Sequence, residues 1–151
     1  MAGTNAVELI KRDHQTVEQL FREYEQAGDR AVKTKQRLVE EITRELEVHA
    51  AIEEEILYPA LEAKARKEGQ ELVHEAVEEH HLVKILLGEL GGLDPDDEAF
   101  DAKVQVLMEN VRHHVEEEES ELLPQAEELL GGEELERLGD RLAARKRQLA
   151  G

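Results

Sequence analysis

The chain has 151 residues, enough for one domain with a sizeable core, and its wealth of Glu, Leu, Ala, Lys and Arg favours helix. A formal net charge of −18 argues against nucleic acid and anionic membranes as partners, and the absence of cysteine excludes disulfides, thiolate sites and Fe–S clusters. The opening stretch, MAGTNAVELIKRDH, has no apolar run long enough for a signal peptide or a membrane span, which fits a cytoplasmic protein.

Helical periodicity runs through almost the whole chain. Val7, Ile10, His14, Val17, Leu20, Phe21 and Tyr24 recur at three- and four-residue steps, with Thr4 or Asn5 as cap and Gly28 at the end. A second helix is predicted over about 29–68, starting at Asp29 or Arg30 and closed by Gly69. It turns Leu38, Ile42, Leu46, His49, Ile52, Glu53, Ile56 and Leu57 to one side. Pro59 lies within it and should kink or locally unwind it, having no N–H to donate. A third helix covers about 70–90, with Val73, Val77, His80, Val83, Leu86 and Leu87 inward. Gly91-Gly92-Leu93-Asp94-Pro95 reads as a loop, after which Asp94 or Asp96 can cap a fourth helix over about 97–130. That helix carries Val104, Leu107, Val111, His114, Val115, Glu118 and Leu122 and ends at Gly131-Gly132. A fifth, about 133–150, carries Leu135, Leu138, Leu142 and Leu149. Its Arg137, Arg141, Arg145, Lys146 and Arg147 read as a solvated face. The expected fold is all-α: an antiparallel up-down four-helix bundle over about 5–130 plus a C-terminal helix, in one domain of residues 1–151.

The sequence repeats. His14 returns as His80 after 66 residues (80 − 14), and His49, Glu53 and Pro59 return as His114, Glu118 and Pro124 after 65 (114 − 49, 118 − 53, 124 − 59). The first two helices should therefore form one hairpin and the next two its pseudo-two-fold mate. Residues i and i+4 share a helix face, so His49 with Glu53, and His114 with Glu118, each present an imidazole beside a carboxylate. His14 and His80 add one imidazole each. Four buried imidazoles and two buried carboxylates are hard to satisfy without a metal, since each unpaired buried polar group is costly. Mixed imidazole and carboxylate ligation suits non-haem iron, manganese or zinc, and Glu53 and Glu118 are natural bridges between two ions. Bridging oxygens with open positions favour iron.

Other polar groups read as ordinary. His81 is a weaker candidate than His80, His113 belongs to a solvated pair with Glu117, and His74 and Glu54 are surface groups. The run 116–119 is a solvated face apart from Glu118, and Tyr24 and Tyr58 read first as packing residues, with a hydrogen bond near the metals or ligation as the alternative. A ferritin-like plan needs Glu-x-x-His on two different helices; here Glu71-x-x-His74 and Glu78-x-x-His81 both fall on the third.

Asp13-His14, His49-Ala-Ala-Ile-Glu53-Glu-Glu-Ile-Leu-Tyr-Pro59, Glu79-His80 and His114-Val-Glu-Glu-Glu118-Glu-Ser-Glu-Leu-Leu-Pro124 together resemble the hemerythrin-like, or HHE cation-binding, domains over about residues 5–130. The resemblance implies a four-helix bundle with two non-haem iron ions in an oxo- or hydroxo-bridged centre. It implies binding of, or reaction with, O2, nitric oxide or peroxide. Its ligands would be His14, His49, Glu53, His80, His114 and Glu118, with the two Glu bridging. Two positions depart from the family's oxygen carriers. Lys84 stands where they place a fifth histidine, and Glu118 follows His114 by four residues where they have Asp after five. Both point away from reversible O2 carriage, toward a sensor, scavenger or oxidase-like chemistry, within an expected role as sensor, scavenger or reservoir. The alternatives are a di-iron enzyme, decomposing peroxide or oxidising a small organic substrate, and an iron-responsive interaction module.

Overall fold

The computed structural model describes residues 5–28 and 31–150. Helix α1 spans Ala6–Gln26, and Asn5 caps it by accepting from the Glu8 N–H at 2.9 Å. Thr4, Asp29 and Arg30, also named above as helix ends, lie outside the described residues. Helix α2, Val32–Ile52, runs through a π-helical turn, Glu53–Leu57, into α3, Tyr58–Lys64. Helix α4 is Lys67–Gly91. Helix α5, Glu98–Glu117, passes through a second π-helical turn, Glu118–Leu122, into α6, Leu123–Ala150. Gly131, with φ of 78°, breaks α6 and returns residues 133–150 as the fifth helix.

The prolines account for the π-turns. Pro59 cannot donate to the carbonyl four residues back, and its ring crowds that carbonyl. The helix widens instead, so the Tyr58 N–H bonds to the Glu53 carbonyl five residues back. Pro124 does the same, with the Leu123 N–H on the Glu118 carbonyl. The predicted local unwinding is therefore a one-residue register shift beginning at each repeated glutamate.

Two expected punctuation marks are corrected. Gly69 does not end the second helix; it sits in the first turn of α4, after a break at Ala65 and Arg66. A Cβ there would lie 2.6 Å from Gln125 Oε1 and 2.8 Å from Ala65 Cβ, so glycine serves close packing rather than termination. The cap of α5 is Asp97, accepting from the Ala99 N–H at 2.9 Å, whereas Asp94 accepts from the Asp96 N–H within the loop.

Helices α1 and α2 form one hairpin and α4 and α5 the other, while α6 packs along α1 and α2. The core falls into two apolar clusters. One holds Ile10, Ile52, Leu57, Leu61, Leu123 and Leu138; the other holds Phe21, Ile42, Leu87, Phe100, Val104 and Leu107. Leu135, Leu138 and Leu142 of the fifth helix are buried, but Leu149, one residue from the helix end at Ala150, is exposed. On α1, α2, α4 and α5 a polar layer lies between the two clusters, and there the repeated histidines and glutamates sit. Among the described residues no helix is long and apolar enough to cross a membrane.

Candidate metal centre

All six predicted residues converge. One set of ligating atoms comes from His14, His49, Glu53 and Glu118, another from Glu53, His80 and His114, and within each set the atoms lie within 4.8 Å of one another. Glu53 Oε1 is 3.1 Å from His49 Nε2 and 3.2 Å from His80 Nε2, so one carboxylate spans the two hairpins. Glu118 spans them the other way, 2.9 Å from His14 Nε2 and 3.5 Å from His114 Nε2. Both glutamates are fully buried. The rings pair across the hairpins' own helices, His14 with His49 at 5.1 Å and His80 with His114 at 4.8 Å between centroids.

Each imidazole is held from behind by a carboxylate on its Nδ1. His14 meets Glu119 at 2.6 Å, His49 meets Asp13 at 2.9 Å, His80 meets Glu54 at 2.9 Å and His114 meets Glu79 at 2.6 Å. With Nδ1 carrying the proton toward the carboxylate, Nε2 is left as a lone-pair donor facing inward, the arrangement of metal-bound histidines. These carboxylates obey the repeat as well: Asp13 and Glu79 are 66 apart, Glu54 and Glu119 are 65 apart. Glu54 and Glu119 are corrections, since both read as surface groups in the sequence. The repeat offset is the signal that could have found them.

The inward atoms have nothing to bond. His14, His49, His80 and His114 Nε2, both oxygens of Glu53 and Oε1 of Glu118 are buried without a hydrogen-bond partner. Close approaches such as His14 Nε2 to Glu118 Oε1 lack hydrogen-bond geometry. Such a set of orphaned donors-to-metal is what a cation site requires, and its chemistry fits one.

Charge follows. Burial works against protonating His114, yet the close approach of Glu118, the hydrogen bond to Glu79 and the nearby charges of Glu118 and Glu53 push its pKa up to about 10. His49 is likewise raised, burial opposing and Glu53, Asp13 and Glu118 prevailing. Burial would raise Glu118, but the close approach of Glu53, His114 and His14 holds it well below the carboxylate range. At His49 and His114 the same carboxylates that favour a proton would favour a cation in its place.

Tyr58 corrects another expectation. Its ring stacks on His80 at 5.6 Å, and its hydroxyl donates to Glu118 Oε2. Burial, with the charges of Glu53 and Glu118, lifts its pKa well above that of a free phenol. Tyr24 belongs to the other cluster, where it donates to Asp101. His74, His81 and His113 are exposed and pair with Glu62, Glu78 and Glu117 as surface groups. Lys84 is exposed but helps line a cavity of about 30 Å³ whose walls are His14, His49, His80 and His114 with Val17, Val83 and Val111. The fifth helix is not merely a solvated face: Lys146 pairs with Asp13, and Arg145 with Glu55 at 3.0 Å.

A helical bundle with a buried layer of imidazoles and carboxylates defines a cation-binding protein. The chain belongs to the hemerythrin HHE cation binding domain family, whose pattern matches residues 5–126. It is similar to an uncharacterised hemerythrin-like protein of Schizosaccharomyces pombe, 29% identical over 131 residues, covering 87% of this chain and 64% of that protein. A Nostoc protein named DNA nickase is 30% identical over 145 residues, covering 96% of this chain and 40% of that protein. The chain thus spans less than two thirds of both relatives. The crystal structure of a hemerythrin HHE cation-binding domain-containing protein from Mycobacterium kansasii matches with a TM-score of 0.84 and 28% identity, over 97% of this chain and 88% of that one.

Proposed function

We propose that His14, His49, Glu53, His80, His114 and Glu118 hold two non-haem iron ions, with Glu53 and Glu118 bridging, in one domain formed by residues 1–151 of a cytoplasmic protein. The observation that carries this is the set of seven buried inward atoms without partners, divided between two hairpins and spanned by both carboxylates. Bound iron supplies redox chemistry and an open position for a small ligand. The protein would act as a sensor, scavenger or reservoir for O2, nitric oxide or peroxide.

The cavity supports a small ligand. About 30 Å³ is one water's share of liquid volume, whereas pockets for organic molecules run to several hundred Å³. Its valine walls keep the histidine edge dry. A larger groove of about 470 Å³ beside α1 and α5 is lined by His14 and by Glu119, which bonds the His14 Nδ1. This favours a diatomic or peroxide over oxidation of an organic substrate; decomposition of peroxide is the enzymatic form of the same reading. Lys84, on the cavity wall, leaves free the place that a fifth histidine fills in oxygen carriers.

Anaerobic reconstitution with Fe(II) followed by elemental analysis should approach two irons per chain. A fully occupied preparation with one iron would overturn the dinuclear assignment. Rapid mixing of the reduced protein with O2, nitric oxide and peroxide separately then identifies the ligand by which one changes the optical spectrum.

A further inference from the structure

Outside the buried layer, one other group of metal-ligating side chains converges among the described residues. Glu79, His113 and Glu117 each present an atom within 4.8 Å of the others. His113 and Glu117 are one turn apart on α5, Nε2 to Oε1 2.9 Å, and their side chains are 65% and 40% exposed. Glu79 is only 27% exposed, and its Oε1 lies 2.6 Å from His114 Nδ1. One carboxylate thus joins the surface pair to a buried histidine of the centre.

A gap of about 10 Å³ accompanies this link, lined by Glu79, Glu117, His114 and Glu118, with exposed Glu75 and Glu121 outside and no Lys or Arg in its wall. Its buried side includes Glu118, fully enclosed, and His114, whose Nδ1 is on Glu79 while its unpartnered Nε2 faces the centre.

The other repeat supplies an internal comparison. Subtracting 65, the positions of His113 and Glu117 become Val48 and Ile52. Ile52 is fully buried in the core, and the counterpart of Glu79, Asp13, is covered by Lys146. Arg145 adds a second cation on that flank, on Glu55. One flank of the centre is closed by apolar side chains and the fifth helix's cations. The other presents ligating groups in a wall without cations.

We propose that Glu79, His113 and Glu117 form a loading site that captures a divalent cation at the surface and passes it to His114 and Glu118. The gap is at the lower limit for holding one water, so a hydrated ion does not diffuse through it. The ion exchanges water for the three surface groups, and Glu79 and Glu117, which line the gap together with Glu118, pass it to that buried carboxylate. The inference rests on the buried layer being a metal centre.

The test mixes metal-free full-length protein with Co(II) in a stopped-flow instrument and follows cobalt absorbance, then measures bound cobalt at equilibrium. The double variant His113→Ala, Glu117→Gln should load about tenfold or more slowly, the range over which local charge raises association rates. Its final cobalt content should equal that of wild type. The variant Glu62→Gln, His74→Ala removes a matching exposed pair from the Tyr58 flank and should load at the wild-type rate. An unchanged rate in the first variant, an equal slowing in the second, or a lowered final content in the first would each overturn the loading site. Wild-type protein that takes up no cobalt would overturn the buried-centre reading, and this inference with it.

Discussion

Tyr58 and Leu123 occupy the same place in the two repeats, each closing a π-turn onto a fully buried glutamate, yet only Tyr58 brings a hydroxyl, and it donates across the bundle to Glu118. The two halves are therefore alike in their six inward side chains and unlike in what supports them. Glu118 has a phenol on one oxygen, whereas both oxygens of Glu53 lack a hydrogen-bond partner.

Tyr58→Phe keeps the ring on His80 and removes only the donor. Metal retention against a chelator should weaken about tenfold, the lower range for loss of an outer partner of a ligand. Leu123→Met, a volume-conserving change at the matching position, should leave retention unaltered. Equal retention in Tyr58→Phe and wild type would reduce the hydroxyl to a packing contact.

Glu54 and Glu119 touch no inward atom, but each fixes a histidine through Nδ1. Glu54→Gln and Glu119→Gln should each lower metal affinity about 10- to 100-fold. Glu116→Gln, in the same acidic run but exposed, serves as the control and should have no effect. Calorimetric titration of the metal-free variants measures this directly.

Removing metal should cost stability. A ligand present at 100 times its Kd adds about 3 kcal/mol to the folded state, or roughly 5–10 °C in Tm for a chain of this size. Coincident melting curves for metal-free and iron-loaded protein would mean that the six side chains are satisfied by protons alone.

At the far end of the bundle, Asp101 accepts from Tyr24 and from buried Lys35, and these contacts, the Tyr24 hydrogen bond first, depress its pKa below 3.8. A depressed carboxylate stabilises the fold above its unfolded pKa and loses that contribution as pH falls through its folded one. Asp101→Asn should therefore destabilise by about 1 kcal/mol at neutral pH, a charged hydrogen bond discounted for exposure. The gap between variant and wild type should stay constant down to about pH 4 and shrink below it. Urea unfolding at pH 7, 5 and 3 follows the difference; a gap that widened at pH 3 would contradict the assignment.

The bundle and the six inward residues were legible because two independent periods agreed. The 3.6-residue pattern placed each helix face, and the 65–66-residue repeat picked the histidines that converge in the buried layer, separating His80 and His114 from their neighbours His81 and His113. What remained hidden was set by contacts between distant segments. Glu54 and Glu119 sit in runs of glutamate where spacing alone cannot tell a solvated carboxylate from one turned onto a histidine. Gly69 looks like a stop because local sequence carries no trace of Gln125 packed against it. Pro59 announced a defect but not its form, since kink and π-turn answer the same missing N–H.

Each π-turn also absorbs one residue of helix length. The widened turn accommodates a residue that a regular helix would not, so deleting one residue between Glu53 and Tyr58 removes the excess and leaves the helix on either side in register. His49 and Glu53 would keep their pairing, and Leu61, fully buried, would stay on the core. The cost falls on Pro59, whose ring would meet the carbonyl four residues back in a regular helix. A gap of one in an alignment of this stretch therefore marks the gain or loss of the proline's accommodation, with the same helix face kept toward the core.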